Sequence, residues 1–483
     1  MKNHLSPDPT AAPPSAAPRH AATLAVALLA LSALTGCADT SGIAPQARLR
    51  DTATLVEPGT ADVAIAPDWW RAFGDAQLDA LVQQALDGNP GLRQAQARIA
   101  RAEAFTHAAR AALGPQVNAS TSLVRQHYSE NGPYPTGLAG STLSIDTARL
   151  SGSWEIDFFG KNRAALESAL GTARAARADA DAARLLLAAN VVHAYLQLAR
   201  LQEQLQVAER TRAQREEMLH LVQQRVSAGL DTQLELRQSE GTLPEARQQI
   251  EALREQIALA RNALGALIAE PKTALTLSPP ALAALKSEAI PATLPADLLG
   301  RRPDVAAARW RVEAATQDVA VARAQFYPNV SLTAFVGLAS LGLDRFILGS
   351  SREWGVGPAL SLPLFDAGRL RANLAGKSAD LDAAVESYNA ALLDAVHDAA
   401  DQLASSASVE RQIAEQRQAG EAAESAYAIA RKRYAAGLGS YLQVLSAETQ
   451  VLAQRRQAVD LAARRLDAQA NVMRALGGGY AAS

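Results

Sequence analysis

Two segments in each half of the chain alternate hydrophobic and polar residues at every second position. Such a period of two is typical of a strand that has one apolar and one polar face. In the last of these segments the apolar residues on one face are Trp354, Val356, Leu360, Leu362 and Leu364. The pattern predicts four strands, at about 116–128, 142–158, 329–340 and 354–365.

Long helical segments follow each pair of predicted strands. From Lys161 to about Ala228 the chain has no proline, and Gly171 is the single interior glycine. After a turn, apolar residues recur every seven positions, at Leu236, Leu243, Ile250, Ile257 and Leu264. The second half repeats this spacing with Leu445, Leu452, Val459, Leu466 and Met473. A strict seven-residue period indicates a left-handed coiled coil.

Landmarks recur in the same order in the two halves. The segment "RVSAGLDTQLEL" begins at Arg225, and the similar segment "RYAAGLGSYLQV" begins at Arg433, 208 residues later. The chain is therefore predicted to be a tandem duplication of one unit of about 200 residues. Each unit contains a helix, two strands and a long helical hairpin, and the hairpin tips lie near Gly229 and Gly437.

These landmarks divide the chain into five predicted segments. The boundaries are 1–36 for a signal peptide, 37–75 for the N-terminal segment of the mature chain, 76–270 for the first repeat, 271–296 for a linker and 297–483 for the second repeat. The fold class that follows is mainly α, with four strands that have the character of transmembrane β.

Composition and charge narrow the possible functions. The net charge of −2 argues against nucleic acid as a partner, because nucleic-acid binding needs a concentrated basic surface. The chain has one cysteine and seven histidines, and no two histidines have the His-x-x-x-His spacing. We therefore expect no metal site and no cofactor. The sequence also lacks a nucleophile elbow and a phosphate-binding loop, so we do not expect an enzyme.

An apolar stretch precedes the single cysteine. Residues 21–36 are shorter than a spanning helix and end in small residues, which is typical of a signal peptide. The tetrapeptide "LTGC" that ends at Cys37 resembles the lipobox of bacterial lipoproteins. That resemblance implies cleavage before Cys37 and lipidation of this residue by acyl chains such as palmitate. Ala38, rather than aspartate, follows the cysteine, which favours the outer membrane; a secretory signal with an unrelated cysteine is the alternative.

Four amphipathic strands cannot close a barrel in one chain. About eight strands are the smallest useful number, and open sheet edges are not tolerated in lipid. The chain is therefore expected to share its strands with copies of itself. Three copies would supply twelve strands.

The order of several motifs resembles a known family. These motifs are "WWRAFGDAQLDALVQQAL" at 69–86, "RRPDVAAA" at 301–308, both Gly-Leu turns and "ALGGGY" at 475–480. Across essentially the whole mature chain they resemble the TolC-like outer membrane factors, specifically the lipidated NodT/OprM branch. The resemblance implies a homotrimer, with a shared β-barrel in outer-membrane lipid and a coiled-coil helical barrel in the periplasm.

The resemblance also implies a function. Such proteins are exit channels of tripartite efflux systems, and they conduct small molecules or drugs to the outside. Their partners are a periplasmic adaptor (membrane fusion protein) and an inner-membrane pump of the resistance–nodulation–division type. One alternative within the family is a channel for type I protein secretion. A lipid-anchored periplasmic scaffold without a pore is an alternative of another class.

The resemblance assigns three groups of residues in this sequence. Adaptor docking is expected at the two turns, at Arg225, Gly229, Leu230, Arg433, Gly437 and Leu438. A gate at the periplasmic entrance is expected at Leu442, Gln443, Ser446 and Glu235. Gln443 and Ser446 replace carboxylates of the family pattern, and Glu235 is either part of an anionic ring or an ordinary residue of a helix end. The aromatic residues suited to a membrane interface are Trp154, Phe158, Phe159 and Trp354.

The lipobox leads to a first prediction. Cys37→Ser removes the thiol that is acylated, so lipid attachment should be lost. The barrel should still insert, because insertion depends on the strands. Mass spectrometry of the purified protein and membrane fractionation test both statements, and a mutant that is wholly soluble and unassembled would contradict the second one.

Overall fold

The computed structural model of the chain describes residues 40–51, 65–287 and 302–480. Cys37, the predicted signal peptide and the end of the predicted linker lie outside the described residues. The described residues fall into two compact units. One unit contains Arg110–Ala165 and Gln317–Asp380 with the residues up to Pro45, and the other contains Gln46–Ala109, Leu166–Thr316 and the residues from Leu381. Each unit takes residues from both predicted repeats, so the compact units are not the repeats.

The first unit contains a four-stranded antiparallel sheet. Its strands are β1 (Gln116–His127), β2 (Thr142–Ile156), β3 (Asn329–Leu341) and β4 (Arg352–Ser361). They lie in the order β1-β2-β3-β4, so each strand is hydrogen-bonded to its neighbour in the sequence. The strand pairs of the two halves of the chain meet between β2 and β3, where Leu150 lies opposite Val336.

The sheet has one apolar face, as the alternation predicts. Leu150, Val336 and Trp354 form one row across three strands, because Val336 pairs with both of the others. These side chains are exposed in the chain, and so are others on this face: Val117, Leu332, Val356 and Leu360. The opposite face carries mostly small and polar residues, such as Ser151, which lies opposite Phe335. An exposed apolar face of this extent suits contact with lipid.

Three predicted strands end later than the observed ones, and the first of them, predicted to end at 128, is only one residue too long. β4 ends at Ser361, so Leu362 and Leu364 lie beyond it. Pro363 has no backbone N–H and cannot continue a ladder. β2 ends at Ile156, so the predicted end at 158 is also too long.

The described part of the chain also contains eight α-helices. They are α1 (Ala76–Gly88), α2 (Pro90–Ala111), α3 (Lys161–Ser227), α4 (Gln233–Leu267), α5 (Pro271–Leu275), α6 (Pro303–Ala324), α7 (Arg369–Ala435) and α8 (Tyr441–Ala475). α1 and α2 are separated at Asn89, because Pro90 forces its preceding residue into an extended conformation. Pro90 then occupies the first position of α2, where a missing N–H costs nothing.

The seven-residue stripe of α4 builds the core of the second unit. Leu243, Ile250, Ile257 and Leu264 are all buried. Of these four, Ile250, Ile257 and Leu264 pack in one cluster with apolar residues of α3 such as Tyr195. By length and composition, α3 has an apolar stretch that could cross a membrane, but half of that stretch is buried inside the unit. The residues of the stripe therefore stabilise the fold, and we expect no catalytic or binding role for them.

Arg302 of the "RRPD" motif connects several helices of the second unit. This arginine is buried and precedes α6. It donates hydrogen bonds to Asp304 at 2.7 Å, to Asp398 of α7 at 3.1 Å and to the carbonyl oxygen of Ala475 at 3.0 Å. Burial alone would raise the pKa of Asp304, but the hydrogen bonds from Arg302 keep that pKa below its usual range. One charged side chain thus joins the beginning of α6 to α7 and to the end of α8.

Candidate functional site

The two hairpin turns have the same backbone closure. Gly229 has φ of 74° and Gly437 has φ of 76°, the left-handed conformation that favours glycine. The N–H of Leu230 donates to the carbonyl oxygen of Arg225, and the N–H of Leu438 donates to that of Arg433, both at 2.8 Å. This bond over six residues is the Schellman closure of a helix C-terminus. The glycines are therefore required by the turn itself.

The leucines at the turns are largely exposed in the described part of the chain. Leu230 is 65% exposed and Leu438 is 70% exposed. Five residues after each glycine stands another exposed leucine, Leu234 in the first hairpin and Leu442 in the second. The predicted gate residue Leu442 thus has a counterpart in the first repeat, and the spacing "GLxxxL" could have shown it.

Two predicted gate residues cap the returning helices. Thr232 precedes α4, and its N–H donates to the Glu235 carboxylate at 2.9 Å. Ser440 precedes α8, and its N–H donates to the side-chain oxygen of Gln443 at 3.4 Å. Both are capping boxes, which the patterns "TQLE" and "SYLQ" would have predicted. The structure thus places Glu235 and Gln443 at equivalent positions with the same local role, while Ser446 is exposed on α8.

Three charged or polar side chains join the two hairpins. Arg225 binds the carboxylate of Asp231 with two hydrogen bonds, of 2.9 Å from Nε and 3.2 Å from Nη2. The hydroxyl of Tyr434, on the second hairpin, donates to the same carboxylate. The guanidinium carbon of Arg225 also lies 4.7 Å from the centre of the Tyr434 ring. We call Arg225, Asp231 and Tyr434 the tip cluster.

The electrostatics of the tip cluster fix its protonation. Hydrogen bonding from Arg225, and then from Tyr434, holds the pKa of Asp231 below its usual range, although burial opposes this. Burial and the hydrogen bond to Asp231 raise the pKa of the Tyr434 hydroxyl well above its usual value. At neutral pH the carboxylate is therefore charged and the tyrosine is protonated, which is the state that these hydrogen bonds need.

The two arginines predicted to dock the adaptor, Arg225 and Arg433, differ in their exposure and in their partners. Arg225 is bound within the chain, and its side chain is only 12% exposed. Arg433 is exposed, and its guanidinium donates to the carbonyl oxygen of Leu438 at 3.1 Å. Arg225 thus has a partner within its own turn, and its role in docking stays a prediction. Tyr434 was missed because nothing in its local sequence indicates a partner on the other hairpin.

An apolar cluster lies beneath the turns. Tyr434 and Tyr441 are buried, and their ring centres are 5.8 Å apart. Buried residues of both hairpins pack with them: Met218, Val222, Tyr427, Val444 and Val451. A buried ion pair of Arg215 and Glu448, 3.0 Å apart, also joins the hairpins. The two turns of one chain are thus one packed structure.

The predicted interface aromatics occupy two kinds of place. Trp154 and Trp354 stand exposed on the apolar face of the sheet, and the indole N–H of Trp154 donates to the carbonyl oxygen of Leu113 at 2.9 Å. Phe158 and Phe159 follow the end of β2, and both are exposed. The Phe159 ring stacks on Tyr327 at 4.9 Å.

Within the described ranges, no three His, Cys, Asp or Glu side chains come close enough to hold a metal ion.

Comparison with known proteins decides the family. The sequence profile of the family described as "Outer membrane efflux protein" matches residues 81–270 and 294–478. The chain belongs to the outer membrane efflux protein family. Its relatives include the fusaric acid resistance protein FusA of Burkholderia cepacia, which is 40% identical over 357 residues, covering 72% of this chain and 67% of FusA. The pyoverdine export outer membrane protein OpmQ of Pseudomonas aeruginosa is 34% identical over 91% of this chain and 92% of OpmQ.

Solved structures confirm the fold class of this outer membrane efflux protein. The crystal structure of the outer membrane protein VceC of Vibrio cholerae superposes with a TM-score of 0.82, at 34% identity, over 86% of this chain and all of that one. Channels with this fold are trimers that combine a helical barrel with a β-barrel. The prediction of a mainly helical chain with four strands for a shared barrel in the outer membrane is thus confirmed.

The tip cluster generates a second prediction. Asp231→Asn removes the charge that Arg225 needs and weakens the bond from Tyr434, at a cost of about 1–3 kcal/mol. Amide hydrogen exchange should therefore become about ten- to a hundred-fold faster in both turns. Glu235→Gln is the matched control, because glutamine can fill the capping box as Gln443 does. Unchanged exchange in the second turn would contradict a bond between the hairpins.

The same cluster has a defined pH dependence. The folded pKa of Asp231 lies below its unfolded value of about 3.9, so its stabilising contribution is fully present above about pH 4. The contribution is lost as the pH falls further, through the folded pKa. Protection of the turn amides, corrected for the intrinsic pH dependence of exchange, should fall in this acid range and stay constant between about pH 5 and 8. In the Asp231→Asn variant, the protection of the turn amides should not show this fall in the acid range.

Proposed function

We propose that this protein is the passive exit channel of a tripartite efflux system that exports small molecules. An energised inner-membrane pump of the resistance–nodulation–division type would supply the work, and a periplasmic adaptor would join the two. The observation that carries this proposal is the four-stranded sheet with an exposed apolar face, on which Leu150, Val336 and Trp354 form one row. A periplasmic scaffold without a pore would have no use for such a face.

The named relatives favour small molecules over proteins as cargo. FusA is named for resistance to fusaric acid, and OpmQ for export of pyoverdine. Both names concern small organic compounds. Type I protein secretion is therefore the less supported alternative for this chain.

We propose that the two turns dock the adaptor through their leucines. Leu230 and Leu438 are exposed large apolar side chains at the ends of long helical hairpins. An apolar side chain exposed on a rigid turn can anchor a partner at little cost in conformational entropy. The exposed Arg433 would add a charged contact, and Arg225 would act indirectly by holding the first turn in shape.

We propose that Leu442 closes the periplasmic entrance at rest. Three copies of this exposed leucine in a trimer would form an apolar ring, and Leu234 of the first repeat would widen it. An apolar constriction can stop conduction by expelling water. Glu235 and Gln443 are occupied as helix caps, so they would contribute polar side chains near the ring and no independent gate.

We also propose that Cys37 is lipidated and tethers the mature chain to the outer membrane. Support comes from the lipobox and the small residues before it. Acyl chains and the shared barrel would then both hold the protein in the same membrane.

The gate leads to a third prediction. Purified protein in planar bilayers should show a small single-channel conductance, and Leu442→Ser should raise it several-fold because the serine ring stays wet. Leu275→Ser, at an exposed leucine of α5 outside the turns, is the matched control and should leave the conductance unchanged. No conductance from a verified trimer, with or without the substitution, would overturn the channel in favour of the scaffold.

The docking surface leads to a fourth prediction. Leu230→Asp with Leu438→Asp should abolish export of a small toxic compound from cells while the trimer still forms. The reason is that a charge in an apolar contact loses its hydration without a partner. Leu230→Met with Leu438→Met keeps an apolar side chain of similar size and should retain export. Survival in the presence of the compound and cross-linking of the adaptor measure the two effects, and full export by the aspartate variant would remove both leucines from the docking surface.

A further inference from the structure

An ion pair crosses three strands on the polar face of the sheet. Arg149 of β2 donates to Glu353 of β4 with Nη2 at 2.6 Å and with Nε at 2.9 Å from the same carboxylate oxygen. In the register of the sheet both residues lie opposite Gly337 of the intervening β3. The two side chains therefore meet above a residue that has no side chain of its own.

Glycines make this arrangement possible. A Cβ at Gly337 would lie 2.4 Å from the carbonyl oxygen of Ala148 and 3.0 Å from the Cα of Arg149, so no other residue fits there. A Cβ at Gly355 would lie 2.7 Å from the ring of Phe335, so this ring occupies the space beside Gly355 of β4. The guanidinium carbon of Arg149 lies 4.5 Å from the centre of that ring. The guanidinium thus contacts both an aromatic ring and a carboxylate.

The pair lies on the face of the sheet that would line the lumen of a shared barrel. The opposite face of the sheet is mainly apolar, and its charged residues Arg125, Asp146 and Arg352 lie toward the end at which β1 leads into β2. Such a face suits lipid, and residues of a transmembrane barrel alternate between lipid and lumen. Within the four described strands, the polar face carries three charged residues, Arg149, Glu353 and Glu155. Glu155 is the residue before the last of β2, and it is paired with Lys161 at 2.6 Å. The middle of the lumen wall therefore has one ion pair in each chain.

Both members of the pair remain accessible to solvent. The side chain of Arg149 is 41% exposed and that of Glu353 is 28% exposed. Their charges can therefore act on an ion in the lumen, but at present each cancels the other. Rings of arginine make pores selective for anions, and rings of glutamate make them selective for cations. A wall with equal numbers of both, paired at contact distance, favours neither sign.

We propose that Arg149 and Glu353 are specificity-determining residues that keep the barrel open to solutes of either charge. The inference rests on the proposed function, because it needs a conducting channel. Three pairs in a trimer would line the lumen with no net charge, and their contact with Phe335 would keep them close to the wall. Small organic anions, cations and neutral compounds would then pass the barrel alike.

The experiment measures ion selectivity from the reversal potential of single channels under a potassium chloride gradient. Glu353→Gln leaves three unpaired arginines and should lower the permeability ratio of potassium to chloride several-fold. Arg149→Gln leaves three unpaired glutamates and should raise the ratio several-fold. The double variant, Arg149→Gln with Glu353→Gln, should return to the ratio of the unsubstituted protein. Glu353→Gln is nearly isosteric, and if one single variant does not insert, the sign of the other decides alone.

A control separates position from net charge. Asp344→Asn makes the same charge change in the segment after β3, where Asp344 is exposed and lies 3.6 Å from Arg345. Its shift should be small, because an exposed charge is screened within about 10 Å. Equal shifts for Asp344→Asn and Glu353→Gln, or shifts of the same sign for both single variants, overturn the inference and leave the channel intact. Absence of conductance in the unsubstituted protein overturns both the proposed function and this inference.

Discussion

The unpaired backbone at the edges of the sheet is the constraint on which the rest of the structure depends. Among the described strands, β1 and β4 each pair on one side. An unpaired N–H or C=O group in hydrocarbon costs several kcal/mol, so an open edge cannot stay in a bilayer. Four strands are too few to close on themselves. Association of several chains is therefore a condition of insertion, and the trimeric barrel of the family meets it.

Duplication supplies both the strand pairs and the turns, and the two repeats differ where they touch each other. Both turns keep the same glycine conformation and the same closing hydrogen bond. The repeat counterpart of Tyr434 is Val226, and the counterpart of Asp231 is Gly439, at the spacing of 208 residues. The bond between Tyr434 and Asp231 therefore has no equivalent between Val226 and Gly439, which lack polar side chains. This divergence lets two similar hairpins pack as one asymmetric pair.

Local sequence patterns predicted the helices and strands, but they could not predict contacts between residues that are distant in the sequence. Alternation found all four strands, since the period of two is a property of each segment alone, but it missed the effect of Pro363 on the end of β4. The capping boxes of Glu235 and Gln443 were within reach of sequence reasoning, because their spacing is local. The tip cluster and the ion pair of Arg149 with Glu353 could not be predicted in this way. Each depends on which helices or strands become neighbours, and no local period encodes that.

The ion pairs at the turns and in the barrel share one physical logic. Asp231 is neutralised by Arg225, and Glu353 is neutralised by Arg149, in both cases beside an aromatic ring. Pairing removes the long-range field of these charges while their hydrogen bonds still order the backbone around them. On the proposed function, such a channel presents exposed leucines to its adaptor and a wall of balanced charge to its cargo. The energised pump would then select among compounds. The passive channel would need only to open and to let the selected compound pass.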